Sequence, residues 1–108
     1  MKVKLEHQKT SLRLSKEEFH QLRNENILQE EIIFPCDRIL KIVVELRYDQ
    51  FFNFSGDEIR FGLPNQIIEN YKPSKSGLPF IFQCGNGKVQ TVIFEVNIKK
   101  TPLTSASN

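Results

Sequence analysis

The chain has 108 residues, 26% of them charged, nine Phe, five Gly and five Pro, with a net charge of +2. That length fits one domain and not two, and it buries only about two-thirds of its unfolded surface, so the core is thin. The aromatic content excludes general disorder. No stretch reaches the roughly 18 apolar residues of a membrane span, and Met1 to Leu14 carries Lys2, Lys4, Lys9 and Arg13 without the apolar centre of a signal peptide. A cytoplasmic location is the resulting expectation. The near-neutral charge averages over basic ends and an acidic middle: residues 1–13 sum to +3, residues 14–69 to −5 and residues 70–108 to +4.

Along the chain, Val3, Leu5 and His7 alternate with Lys2, Lys4 and Glu6, which is strand periodicity, and Leu12 and Leu14 resume it after a break. Ser15-Lys16-Glu17-Glu18 is a capping box, with Leu14 and Phe19 placed for a hydrophobic staple. The helix it opens runs from Lys16 to about Glu25, with Phe19 and Leu22 on one face and Asn24 and Asn26 as stops. Ile27 to Phe34 and the alternating run from Leu40 to Tyr48 form a hairpin across Pro35-Cys36-Asp37-Arg38. Phe51-Phe52-Asn53-Phe54 leads into a turn at Ser55-Gly56-Asp57, and Glu58 to Phe61 alternates again. Pro64 opens a second short helix near its first position, and Lys72-Pro73 stops it. Leu78 to Gln83 and Val89 to Lys99 flank Gly85-Asn86-Gly87, a hairpin signal.

The predicted order is β-β-α-β-β-β-α-β-β. It is an α+β domain over residues 1–100, with a mostly antiparallel, curled sheet of six or seven strands under two short helices, and a flexible tail over 101–108. No internal repeat is visible. Val43, Ile81 and Ile93 fall on the outer stripe of their strands, so either the sheet curls toward a barrel or that face meets a second layer or another subunit.

Ser11-Leu12-Arg13-Leu14-Ser15-Lys16-Glu17-Glu18-Phe19, followed by Leu22 and the run Glu30-Glu31-Ile32-Ile33-Phe34, is similar to the opening of a family of small bacterial proteins of unknown function. Its members begin with an R-L-x-L-S-K-x-E-like motif and continue with a glutamate-led strand. Ile59 to Tyr71 is similar in layout, so the resemblance spans residues 1–100. Family members usually carry Gly before the glutamate-led strand, where this chain has Asn24 and Asn26. The resemblance implies a bacterial cytoplasmic domain and carries over no catalytic residue.

Chemistry-bearing residues are sparse. His7, His20, Cys36 and Cys84 are of zinc-binding type but none are closely spaced, so no metal site is expected; both thiols read as reduced and half-buried. No nucleophile motif is present. Gly85-Asn86-Gly87-Lys88 leads into a strand, not the helix that a phosphate-binding loop requires. Catalysis and a cofactor are therefore not expected. Three binding readings stand. One is an interaction or oligomerisation module burying Val43, Ile81 and Ile93. The second is a nucleic-acid binder using a basic strip of Lys2, Lys4, Arg13, Lys99 and Lys100, if the first strand pairs with the last. The third is a small-ligand groove lined by Phe52, Phe54 and Phe61, since core packing or the lip of an apolar groove suits that Phe run better than base stacking. The first is preferred, with a second copy or a protein as partner.

Overall fold

The computed structural model describes residues 1–98. Strands β1 (Lys2–Glu6) and β2 (Lys9–Leu14) form a hairpin, followed by α1 (Lys16–Glu25). A second hairpin, β3 (Ile27–Ile33) and β4 (Ile39–Arg47), leads into a third, β5 (Phe51–Ser55) and β6 (Glu58–Pro64). Helix α2 (Asn65–Glu69) and a last hairpin, β7 (Leu78–Gln83) and β8 (Val89–Val96), complete the order. These strands make two four-stranded sheets, A with the order β1-β2-β8-β7 and B with β3-β4-β6-β5. There is no barrel. The architecture is α+β, but the single curled sheet of six or seven strands becomes two sheets of eight strands in all. The strand missed in the sequence is β5. The condition set for the basic strip, that the first strand pairs with the last, is not met, because β8 pairs with β2. The expected flexible tail lies outside the described residues. No helix among the described residues is long and apolar enough to cross a membrane.

The centre of each sheet is a parallel pair, β2 with β8 and β4 with β6, flanked by antiparallel hairpin partners. This arrangement exposes an internal repeat. The unit β1-β2-α1-β3-β4 is followed by β5-β6-α2-β7-β8, and exchanging the halves turns sheet A into sheet B. Lys2 and Phe51 open the two units, an offset of 49 residues. Burial follows the repeat: Leu12 and Phe61, Leu14 and Leu63, Phe19 and Ile68, and Leu22 and Tyr71 are all buried. So do the turns. Phe34 N–H donates to Arg38 O and Cys84 N–H donates to Lys88 O, both at 2.8 Å, and Asp37 and Gly87 both have positive φ. Each sheet takes one hairpin from each half, so the halves interlock.

Local chemistry explains the elements. Ser15 Oγ accepts from the Glu18 N–H and Glu18 accepts from the Ser15 N–H, the reciprocal capping box. Asn26 ends α1 in the left-handed conformation, φ 66°, a state short polar side chains tolerate. Glu18 also accepts from the Met1 ammonium, which is 3.0 Å from Glu30 as well. Partial burial alone would raise the Glu18 pKa, but these hydrogen bonds bring it below the ordinary value. Pro64 is the N-cap of α2 and the end of β6, not the first helical residue. The core lies between the sheets, under both helices. At its centre Phe19, Tyr71 and Phe94 pack edge-on or tilted at 5.8–6.0 Å and tie α1, the chain after α2, and β8 together.

Candidate functional site

Alternation along the strands places Ile32, Phe34, Leu40, Ile42, Phe52 and Phe54 on the inner face of sheet B. Toward the middle this face is partly covered: Phe52, 41% exposed, packs on Phe61 and on Phe82 of sheet A, at 5.4 and 6.1 Å. At the end where the β3–β4 and β5–β6 turns meet, it is not. Phe34 is 43% exposed and Phe54 61%. With Ile39 and Leu40 they line an apolar groove of about 460 Å³. The two turns lie together because β4 and β6 run parallel, with Lys41 N–H donating to Asp57 O. The Arg38–Asp57 ion pair sits at the groove's rim, and the Cys36 thiol lines it, exposed and free. Exposed Ile33 and Ile39 on sheet B extend the apolar surface at this end.

The equivalent end of sheet A is bridged by polar side chains, while Leu5, the counterpart of Phe54, and Val89 stay exposed. Gln8, the counterpart of Asp57, donates to Val89 O at 2.9 Å and lies 3.8 Å from Cys84 Sγ. Thr10, the counterpart of Ile59, bonds Gln90 at 3.2 Å. The repeat therefore holds the same site twice, bridged by its own polar groups in one half and lined by the apolar groove in the other.

The structure divides the residues singled out in the sequence. Phe54 lines the groove, Phe61 is core, and Phe52 bridges the two sheets; the three do not form one groove. Phe51 faces the other way, its ring 4.8 Å beneath the Arg47 guanidinium. Ile81 and Ile93 belong to sheet A, and Val43 to sheet B, so they form no common stripe. Val43 is fully buried by its own chain and offers nothing to a second copy. Its neighbour across the β4–β6 pair is Arg60, which bonds Glu45 at 2.8 Å and Glu58 at 2.9 Å. The long arginine stem is the kind of cover such a position needs. Those bonds, from Glu58 first, push the Arg60 pKa up, while the Arg60 guanidinium holds Glu58 below the ordinary carboxylate range. Ile81 is half-exposed.

Lys2, Lys4 and Arg13 do come together, around a depression on the outer face of sheet A. Lys99 and Lys100 lie outside the described residues. Cys36 is exposed, not half-buried, and His7 and His20 are exposed on separate elements. Among the described residues no group of three His, Cys, Asp or Glu side chains could hold a metal ion. The groove residues that sequence reasoning missed are Ile39, Leu40 and Phe34, the last beyond the end of its strand. The signal available was the alternation of Ile32 and Phe34 with Ile33, on the same face as Leu40 across the turn. Comparison with protein-family models, curated proteins and solved structures found no match to this chain.

Proposed function

We propose that the protein is a non-enzymatic interaction module that self-associates through the open end of sheet B, with a second copy of the chain as occupant of the groove. The observation that carries this reading is the apolar groove of Phe34, Ile39, Leu40 and Phe54 at a site that the other half of the molecule bridges with Gln8. Two features favour a second copy. The rim is self-complementary, since a two-fold axis across the groove sets each Arg38 against the other copy's Asp57. The area is also suitable: the exposed parts of Ile33, Phe34, Ile39 and Phe54 amount to roughly 450 Å² of apolar surface, the scale of functional patches on monomers. That is about half of what one partner brings to a standard interface, and the polar rim supplies the rest.

Sedimentation equilibrium over about 1–500 μM tests this. The native chain is expected to shift from monomer to dimer, and Phe54→Asp to stay monomeric. Leu5→Asp, at the counterpart position in sheet A, is expected to dimerise normally. A native chain that stays monomeric throughout, or a Leu5→Asp variant as impaired as Phe54→Asp, overturns the proposal.

A further inference from the structure

The outer faces of the two sheets can be compared position by position, because the repeat sets them in the same register. On sheet B, Arg60 is the central residue. Its neighbours across the pairs are Asn53 and Val43, with Phe51, Gly62 and Glu45 in the row on one side and Ser55, Glu58 and Lys41 on the other. On sheet A, Ser11 takes the central place, between Lys4 and Ile93. The rows beside it are Lys2, Arg13 and Glu95, and Glu6, Lys9 and Thr91. The charges are inverted. In sheet B a cation at the centre is held between two carboxylates of the ring, Glu45 and Glu58, and fills the space. In sheet A the ring is rich in cations and the centre is a small hydroxyl, leaving a well of about 520 Å³.

The ring of the well is only partly neutralised from within. Arg13 pairs with Glu95 at 3.3 Å and Lys9 with Glu6 at 3.7 Å. Among the described residues Lys2 and Lys4 pair with no carboxylate, and both line the well together with Ser11, Ser76 and the already paired Glu6 and Glu95. The uncompensated charge is therefore two ammonium groups facing two hydroxyls. With Glu6 and Glu95 taken up by Lys9 and Arg13, the well keeps donors in excess, and it suits a compact dianion that accepts from ammonium and hydroxyl groups at once.

We infer that the Ser11 well is a binding site for a terminal phosphate, either inorganic phosphate or a phosphate monoester, held by Lys2 and Lys4 with Ser11 at its floor. The dianion occupies in sheet A the place that the Arg60 guanidinium occupies in sheet B, with the signs reversed. A phosphodiester carries one charge and one fewer accepting oxygen, and neutralises half of what the well presents. The inference does not depend on self-association, because the well and the groove lie on different sheets.

The test is titration of the native chain with sodium phosphate at constant ionic strength, read by amide chemical shifts, with chloride as the reference anion. Shifts are expected to centre on residues 2–4, 11–13 and 76, and to weaken as the pH falls from neutrality toward about 6, where inorganic phosphate has lost most of its second charge. Lys2→Gln and Lys4→Gln are each expected to weaken binding about five-fold, the scale of one exposed charge-assisted hydrogen bond. Ser11→Glu copies the arrangement of sheet B with inverted sign, placing an anion of the chain's own in a basic ring. It is expected to abolish phosphate binding and to leave the thermal midpoint unchanged or raised. Its folded state, checked by the same spectra, keeps the result interpretable. A 5′-phosphorylated trinucleotide and its unphosphorylated form distinguish the sources of the group. Equal binding of the two, tighter than phosphate, would assign the face to the nucleic-acid backbone and overturn the inference. So would shifts spread over all lysines, or Ser11→Glu binding phosphate as the native chain does.

Discussion

Arg60→Ser gives sheet B the central residue of sheet A and tests whether the arginine is structural cover. The substitution removes two ion pairs, to Glu45 at 2.8 Å and Glu58 at 2.9 Å, among side chains 19–29% exposed. Pairs so placed contribute up to about 1 kcal/mol each, and Arg47, 3.7 Å from Glu45, recovers part of that. It also removes the stem beside Val43. Full burial of a valine is worth about 1.5 kcal/mol or more, and half of that is lost if water reaches one side. The expected cost is about 2 kcal/mol, or roughly 8–16 °C in the thermal midpoint for a domain of this size. Urea unfolding of the native chain, Arg60→Ser and Arg60→Met separates the contributions. Methionine keeps an apolar stem over Val43 and drops the charge, so its cost is expected to be about half. High salt shrinks the loss in Arg60→Met and leaves the difference between the two variants. An Arg60→Ser chain within 0.5 kcal/mol of native would refute the reasoning, and equal losses in the two variants would refute the role assigned to the stem.

Other predictions are read in the same unfolding assay. Gly62→Ala places a methyl 2.8 Å from Phe51 Cβ and 3.0 Å from Arg47 Cδ, so it is expected to cost about 1–3 kcal/mol, much of it recovered in the double variant with Phe51→Ala. Gly77→Ala meets positive φ and the Phe94 carbonyl oxygen at 3.0 Å, with a loss of about 1–2 kcal/mol expected. Ser15→Ala removes the cap of α1, and about 1 kcal/mol should go with it. Glu18, whose folded pKa lies below its ordinary 4.5, stabilises the fold fully above that ordinary value and loses its contribution as the pH falls through the depressed one. The urea midpoint of the native chain is therefore expected to fall below about pH 4.5, and Glu18→Gln to flatten that acid limb.

How much of this was legible in the sequence depends on whether the signal was local. The capping box at Ser15 and Glu18 and the stop at Asn26 are local chemistry, and they are found as read. The strands with strict alternation were equally plain. Phe51–Ser55 was missed as a strand because Phe51 and Phe52 break the alternation, and what tolerates an outward Phe51 is the Arg47 guanidinium above it and Gly62 beside it, neither adjacent in sequence. The repeat was invisible for a related reason. Burial is kept at each paired position while the residue changes: Leu12 against Phe61, Phe19 against Ile68, Leu22 against Tyr71. Packing accepts any apolar group of suitable volume, and two copies give no statistics to a search by residue identity. The parallel centres of the sheets join strands more than 80 residues apart in one case, Lys9 with Thr91, and nothing in a strand's own pattern names such a partner.

The repeat also changes what counts as a candidate site. In an asymmetric domain an exposed phenylalanine or a ring of lysines has no standard for comparison, and scattered surface groups of both kinds are ordinary. Here the chain carries its own reference. Gln8 shows how the frame bridges the hairpin end with its own hydrogen bond, and Phe34 and Phe54 line an apolar groove at the equivalent end. Arg60 shows how the frame fills the middle of an outer face, and Ser11 leaves that place empty. Neither opening is forced by the fold, because the other half of the same fold bridges the one with Gln8 and fills the other with Arg60. Each carries a stability cost, apolar surface left wet in one case and unpaired ammonium groups in the other, that a partner or a ligand would offset. The two places where the halves diverge most in chemistry are thus the two places where function is to be sought.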